Sequence, residues 1–380
     1  MKIGIVCPYN IFRPGGVQEA VFAHQKELIK RGHNVHVLTP NPRQNSLKAP
    51  EGVFLIGTST DLNTPFKTKA DVSLHAGPKE IRQFLDEQNY DLLHFHEPWV
   101  PLLSRQILNR TSCPAIATFH AKLPEAWLAR TIGKAAKPYT KSFLKDIDYF
   151  VAASEPAAEH IRSLTKEDVQ IIYNGVDLDK YNPDEVRLLP QYDDEIKTIL
   201  FINRLEKRKG PDLMLKAYRE LVDEHDDLRL VIASDGDMRS RLETYVKVYD
   251  LPRVEFLGFV DDETKIRLYA SADLYCSPAP FGEGFGIVLL EAMAMQTPYV
   301  AGDNAGYRFA TGDKSDEYLV DPTQPILLAK RLEKMLYDEA ARSKFRTWAK
   351  DRVQSYDYKV VVDEYEKIYN DVVREGRRSK

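Results

Sequence analysis

Apolar residues in the first half of the chain fall into short runs, separated by stretches where they recur every three or four residues. The runs cover residues 2–7, 34–39, 53–56, 91–95, 115–119 and 149–153, and are rich in β-branched and aromatic side chains. Such runs predict buried strands of a parallel sheet. Between them, residues 17–30 place Val17, Ala20, Val21, Leu28 and Ile29 at helical spacing, and Gly32 follows as a stop. Pro78 opens a second helix with Ile81, Phe84 and Leu85 on one face. After a polar stretch at 177–197 the rhythm restarts, with strands predicted at 198–203, 228–233, 254–257, 273–277 and 299–301. The pattern predicts an α/β protein of two Rossmann-like, doubly wound domains. The expected divisions are 1–185, 186–350 and a helix with tail at 351–380, its helix running through 351–375 and able to cover either domain. Ligands of open α/β sheets bind beyond the carboxyl ends of the strands, so the cleft between two such domains is the expected site.

Length and charge narrow the classes. A chain of 380 residues suits two domains of about 190 residues. No window reaches the roughly 20 consecutive apolar residues of a membrane span. The chain opens directly on a strand-like run, so a cytoplasmic location is expected, and three scattered cysteines exclude a disulfide framework. Residues 1–190 carry 23 Lys and Arg against 21 Asp and Glu, a net +2; the rest carries 30 against 36, a net -6. Neither half is basic enough for a general nucleic-acid binder.

Three glycine-containing loops carry candidate chemistry. Gly15-Gly16 lies between the first strand and the first helix, where free backbone N–H groups bind anions. It is not the dinucleotide fingerprint, since G-x-G-x-x-G is absent. Arg204-Leu205-Glu206-Lys207-Arg208-Lys209-Gly210 follows the first strand of the second half, and its bases suit a diphosphate. The third loop, 281–286, holds three glycines and leads into a helix; Glu283 precedes that helix and Glu291 lies inside it. Glu291 sits in an apolar run and needs partners there. Asp235-Gly236-Asp237 spells a metal-binding acid pair but reads as a polar turn.

Taken together, Gly15-Gly16, Thr118-Phe119-His120, Asn174-Gly175-Val176-Asp177, Arg204 with Lys209-Gly210, and Glu283 through Glu291 resemble a family-4 retaining glycosyltransferase of the GT-B fold. The resemblance spans most of the chain. It implies sugar transfer from a nucleotide diphosphate sugar with retention, and no metal or other cofactor. By the same match, Gly15 and Gly16 approach the donor phosphate and Arg204 and Lys209 neutralise the leaving diphosphate. Glu283 holds the transferred sugar and Glu291 the ribose. Gly284, Phe285, Gly286 and Ile287 offer backbone N–H groups, Val260 and Lys265 lie in the region receiving the nucleobase, and His120 polarises the sugar or phosphate. Only Glu283 stands out as a carboxylate near the sugar, so a same-face displacement is expected rather than a covalent enzyme intermediate.

Residues 5–9, 14–18, 94–98 and 285–289 are similar to the phosphatidylinositol alpha-mannosyltransferase branch. That implies GDP-mannose as donor and an inositol phospholipid, or another lipid or polyol, as acceptor, with Tyr9 and Gln18 facing its head group. The chain departs from that branch at Trp99 and at 121–124. A UDP-sugar transferase, a nucleotide-sugar epimerase and a non-catalytic nucleotide binder are the alternatives. Residues 121–145 contain six bases and one acid, and Arg130, Lys134, Lys137, Lys141 and Lys145 share one arc of an ideal helix. That arc is expected either in water or docked on an anionic membrane surface, which would make the protein peripheral.

Overall fold

The computed structural model describes residues 1–12, 15–41, 48–63, 69–75, 77–100, 103–120 and 143–377. Contacts divide the chain into two compact units: Met1–Asn174 with Tyr358–Lys380, and Gly175–Asp357. Pattern alone put the boundaries at 185 and 350; they lie instead at the Asn174-Gly175 step and beyond Asp357.

The first unit is built on a parallel sheet. Its strands are β1 (Lys2–Val6), β2 (Asn34–Pro40), β3 (Val53–Ile56), β6 (Leu92–His96), β7 (Ala115–Phe119), β8 (Tyr149–Ala152) and β9 (Val169–Ile171), in the order β3-β2-β1-β6-β7-β8-β9. An antiparallel pair, β4 (Thr58–Asn63) with β5 (Lys69–His75), stands apart from it. Side chains of a strand alternate between its faces. Val6, Leu93, Phe95, Ala117 and Phe119 therefore share one core with Ile81, Leu103 and Ile161 of the helices on that side. Ile3, Ile5, Leu92 and Ile116 point the other way, against Val21 and Leu28 of the Gly16–Lys30 helix and Val361, Val362 and Ile368 of the Tyr358–Glu375 helix. The last helix of the chain is thus part of the first unit's core.

The expected single helix over 351–375 is two. One ends at Gln354 and the other begins at Tyr358. Between them, the Tyr356 carbonyl accepts the Val176 N–H at 2.8 Å, and Asp357 bridges to Val176. A distant backbone partner replaces the helical bonds there. No glycine or proline marks the break.

The second unit repeats the architecture with β10 (Lys197–Phe201), β11 (Leu228–Ile232), β12 (Val254–Phe256), β13 (Leu274–Ser277), β14 (Tyr299–Gly302) and β15 (Leu319–Val320). The order is β12-β11-β10-β13-β14-β15, again parallel. The expected linker at 184–195 lies inside this unit and carries two single-turn helices, Pro183–Glu185 and Pro190–Tyr192. In each sheet the strand order reverses beside its first strand, β1 or β10. The crevice of a doubly wound sheet opens at that point, beyond the strands' carboxyl ends. In the first unit the loops there follow β1 and β6. In the second they follow β10 and β13.

Candidate functional site

In the second unit the loop after β10 turns through a short helix, Lys207–Lys209, and ends on Gly210. Gly210 has φ +72°, and a β-carbon there would lie 2.2 Å from the Pro278 carbonyl oxygen. Only glycine lets the loops after β10 and β13 approach so closely. Their side chains then interlock. Lys209 Nζ lies 2.7 Å from Glu283 Oε1, and Arg208 Nη1 lies 3.2 Å from the same oxygen. Arg208 also binds Glu206 at 3.0 Å, and Arg204 binds the other Glu206 oxygen at 3.0 Å. Among the described residues, three cations of this cluster thus face two carboxylates, leaving one positive charge in excess. Burial pushes the Lys209 amine below its ordinary value, and Glu283 opposes that shift. Arg204 remains half exposed, while Glu283 is 8% exposed. The site's surplus charge can therefore reach a ligand through Arg204.

The loop 281–286 delivers Glu283 and then starts the Ile287–Ala294 helix at Gly286, whose φ is +104°. A β-carbon on Gly286 would press to 2.6 Å from the Tyr307 ring. The first N–H groups of a helix have no acceptor within it, so Gly286 and Ile287 sit at an anion-favouring end. Gly284 is half-buried there, and Phe285 is buried with its ring 5.5 Å from that of Tyr356.

Glu291 is 3% exposed on that helix and held by three side chains. Tyr181 donates to Oε1 at 2.6 Å, Lys265 Nζ lies 2.8 Å from the same oxygen, and Tyr269 donates to Oε2 at 3.2 Å. These partners answer the need for compensation that the apolar run around Glu291 imposes. Val260 is half-buried, five residues before Lys265 and beside the exposed Phe259. Asp235 is ion-paired to Arg239 at 3.3 Å and accepts the Gly236 N–H, the bonding of a polar turn.

In the first unit, β6 places His94 and His96 on the same face as Leu92, toward the helices Gly16–Lys30 and Tyr358–Glu375. His120 follows β7 directly. Its Nε2 lies 2.7 Å from His96 Nδ1, its Nδ1 lies 3.0 Å from Asn174 Oδ1, and its backbone N–H donates to Glu97 Oε1 at 2.6 Å. Burial pushes the His120 imidazole down to about 4, so it is neutral at pH 7. Both ring nitrogens of His120 are thus engaged by side chains of its own unit. Gly15 and Gly16 open the Gly16–Lys30 helix. Tyr9 gives its carbonyl to Thr39 at 2.8 Å, and Gln18 donates to the Asn10 carbonyl at 3.3 Å. Of the basic arc, Lys145 is exposed; Arg130, Lys134, Lys137 and Lys141 lie outside the described residues.

Sequence reasoning missed Arg208, Tyr181, Tyr269, His96 and Asn174 as members of these clusters. Arg208 and Asn174 stood in quoted motifs, and His96 in the 94–98 stretch, just past the end of the predicted strand. Nothing local to Tyr181 or Tyr269 announces a contact with Glu291.

The comparisons agree with this layout. Residues 14–180 match the model of Glycosyltransferase Family 4, and residues 190–352 that of Glycosyl transferases group 1. A phosphatidyl-myo-inositol mannosyltransferase of Mycolicibacterium smegmatis is 33% identical over 99% of this chain and 95% of its own. The chain belongs to glycosyltransferase family 4. A second phosphatidyl-myo-inositol mannosyltransferase, from Propionibacterium freudenreichii, is 32% identical over 85% of this chain and 82% of its own. Among solved structures, sucrose-phosphate synthase of Thermosynechococcus elongatus matches this glycosyltransferase with a TM-score of 0.77 at 19% identity, covering 98% of this chain and 99% of that one. Anabaena HepE in complex with UDP and glucose matches with a TM-score of 0.74 at 18% identity, covering 98% and 100%. These likenesses establish the GT-B fold.

Proposed function

We propose that this glycosyltransferase moves mannose from GDP-mannose to an inositol phospholipid, with retention at the anomeric carbon. The cation cluster Arg204–Arg208–Lys209 against Glu283 carries the reading. It lies at the switch point of the second sheet and has a positive charge to spare. Charge that grows on a leaving diphosphate is stabilised most by donors already fixed in place. Arg204 and Lys209 serve as those donors. Glu283 takes a hydroxyl of the transferred sugar. Glu291 takes the ribose, with Val260 and Lys265 beside the base. Gly284, Phe285, Gly286 and Ile287 turn backbone N–H groups to the donor, as do Gly15 and Gly16 in the first unit. His120, Tyr9 and Gln18 serve the sugar and the acceptor head group. The names of the 33% and 32% identical relatives support mannose and phosphatidylinositol.

The acceptor hydroxyl oxygen bonds to the anomeric carbon on the face from which the diphosphate oxygen departs. The bond between the anomeric carbon and the diphosphate oxygen breaks with its electron pair going to that oxygen, and the departing phosphate takes the acceptor proton. No covalent enzyme intermediate forms, and the cationic side chains do the charge balancing that a divalent metal does elsewhere. The protein acts at a membrane without spanning it; no helix among the described residues is long and apolar enough to cross one. Arg130, Lys134, Lys137, Lys141 and Lys145 dock it on anionic lipid, worth about 1 kcal/mol per base.

The test is incubation of purified protein with GDP-mannose or UDP-sugars and vesicles containing phosphatidylinositol, in excess EDTA. An α-mannosylated lipid formed from GDP-mannose alone is expected. Transfer from a UDP-sugar alone would replace the donor, and a strict magnesium requirement would overturn the charge argument. Equal sedimentation with anionic vesicles of the wild type and a variant with Arg130, Lys134, Lys137 and Lys141 changed to Glu would remove the docking surface.

A further inference from the structure

Four histidines of the first unit gather on one face of its sheet. His24 of the first helix stacks 5.9 Å from His94 and lies 5.5 Å from His96, and His96 stacks 5.0 Å from His120. The ligand atoms of His24, His94 and His96 lie within 4.8 Å of one another. They do not make a ready cation site, because both His94 nitrogens are taken: Nδ1 by the Tyr369 hydroxyl and Nε2 by Thr118 Oγ1, each at 2.7 Å. The polar logic runs instead toward His120.

That logic is fixed by donor and acceptor chemistry. Asn174 Oδ1 can only accept, so the His120 Nδ1 that meets it at 3.0 Å must carry a proton. Burial depresses both the His120 and His96 imidazoles, so each ring holds a single proton at neutral pH. His120 Nε2 is then a bare lone pair. His96 Nδ1, 2.7 Å away, must be the donor. That leaves His96 Nε2 without a proton, and it is a buried ring nitrogen with no hydrogen-bond partner among the described residues. Such an atom is costly. Its cost is offset only if the other end of the ring is needed where it is.

We propose that His96 is a positioning residue that locks His120 in its Nδ1–H tautomer by donating to Nε2. His96 is itself held on β6 with its ring 5.5 Å from that of His24. The Glu97 carboxylate fixes the backbone of His120 at the same time, through a backbone turned to φ +47°. One strand end therefore sets both the place and the protonation pattern of the histidine. The consequence for turnover rests on the proposed role of His120; the tautomer assignment does not.

The experiment has two readouts. Ring 15N shifts separate protonated from bare imidazole nitrogens. In wild-type protein at pH 7 they should show His120 protonated at Nδ1 and bare at Nε2. His96→Leu should lose that single pattern, whereas His96→Asn, whose amide can donate from a similar position, should keep it. For turnover, His96→Leu should lower kcat about 10- to 100-fold, with KM for the nucleotide sugar changed far less, the scale of losing an orienting partner. His96→Asn should recover most of that loss. Wild-type His120 protonated at Nε2 would overturn the proposal whatever the variants do, so a His96→Leu protein that fails to fold leaves it falsifiable. A folded His96→Leu protein with an unchanged His120 pattern would also overturn it. The spectra judge this proposal alone, and the turnover of His120→Ala judges the functional reading alone.

Discussion

Lys209 Nζ and Glu283 Oε1 lie 2.7 Å apart, on loops that follow two neighbouring strands of one sheet. Each group holds the other at the end of its strand. Both are largely buried, so the pair is shielded from the screening that weakens surface ion pairs. A cation held this way needs no rearrangement when negative charge grows beside it.

Lys209→Ala should therefore cut turnover at least about 100-fold, the scale of losing one transition-state donor. Arg204→Ala should do the same, although its side chain is half exposed. Both should weaken binding of the nucleoside diphosphate product. Steady-state rates and calorimetric titration of GDP check this, and a Lys209→Ala enzyme with wild-type turnover would refute the clamp.

Glu291 ties three side chains together, two of them tyrosines fully or nearly out of water. Glu291→Ala leaves the Lys265 ammonium without that carboxylate in a mostly buried setting. Breaking one side of a buried ion pair costs about 3–5 kcal/mol. The urea midpoint should fall accordingly, with Glu291→Gln, which keeps an acceptor oxygen, losing less. Equal midpoints for the two variants would show that the retained acceptor oxygen is unimportant, and a Glu291→Gln midpoint equal to that of the wild type would show that the charge is unimportant.

Gly210→Ala must fit a methyl group against the Pro278 carbonyl at a φ of +72°. Backbone strain alone accounts for about 1–3 kcal/mol. The shift also displaces Lys209, the preceding residue, so activity should fall more than stability predicts. Thermal unfolding and kcat measured on the same preparation separate the two effects.

Acid should destabilise the first unit. Burial depresses His24 to about 3 and His120 to about 4 from an ordinary 6.5, and holds His94 and His96 well below it. Below about pH 6.5 the unfolded chain binds protons at these positions that the folded chain refuses, so stability falls as pH falls. It is fully present above pH 6.5 and is lost progressively toward pH 4. The melting temperature should drop by at least about 5 °C between pH 7.5 and 5. A pH-independent melt over that interval would sink the prediction.

Strands longer than three residues with β-branched cores were legible because hydrophobic runs and turn residues mark them; β1, β7 and β11 are of this kind. The two-residue β15 and three-residue β9 were not marked by such a run, although the equally short β12 was. The pair β4 and β5 is rich in polar residues and carries no buried-strand signature. Motif positions such as Lys209, Glu283 and His120 were visible from glycine spacing and strand ends. Their partners were not, because Tyr181 reaches Glu291 across 110 positions and Asn174 reaches His120 across 54. The break before Tyr358 was hidden for the same reason: its cause is Val176, far earlier in the chain.

The return of the Tyr358–Glu375 helix to the first unit fixes the order in which the protein can mature during synthesis. The second unit is contiguous in sequence and can close while the chain is still growing. The first begins earlier but must wait, with Ile3, Ile5 and Val37 lacking the cover of Val361, Val362 and Tyr365 until the Tyr358–Glu375 segment has emerged. Domains generally fold as units in the order they appear. Here the nascent chain instead carries an apolar surface until the whole second unit and the Tyr358–Glu375 segment have been made, a long interval for chaperones to occupy. A premature stop a few codons before Tyr358 would leave the later unit whole and the earlier one uncovered.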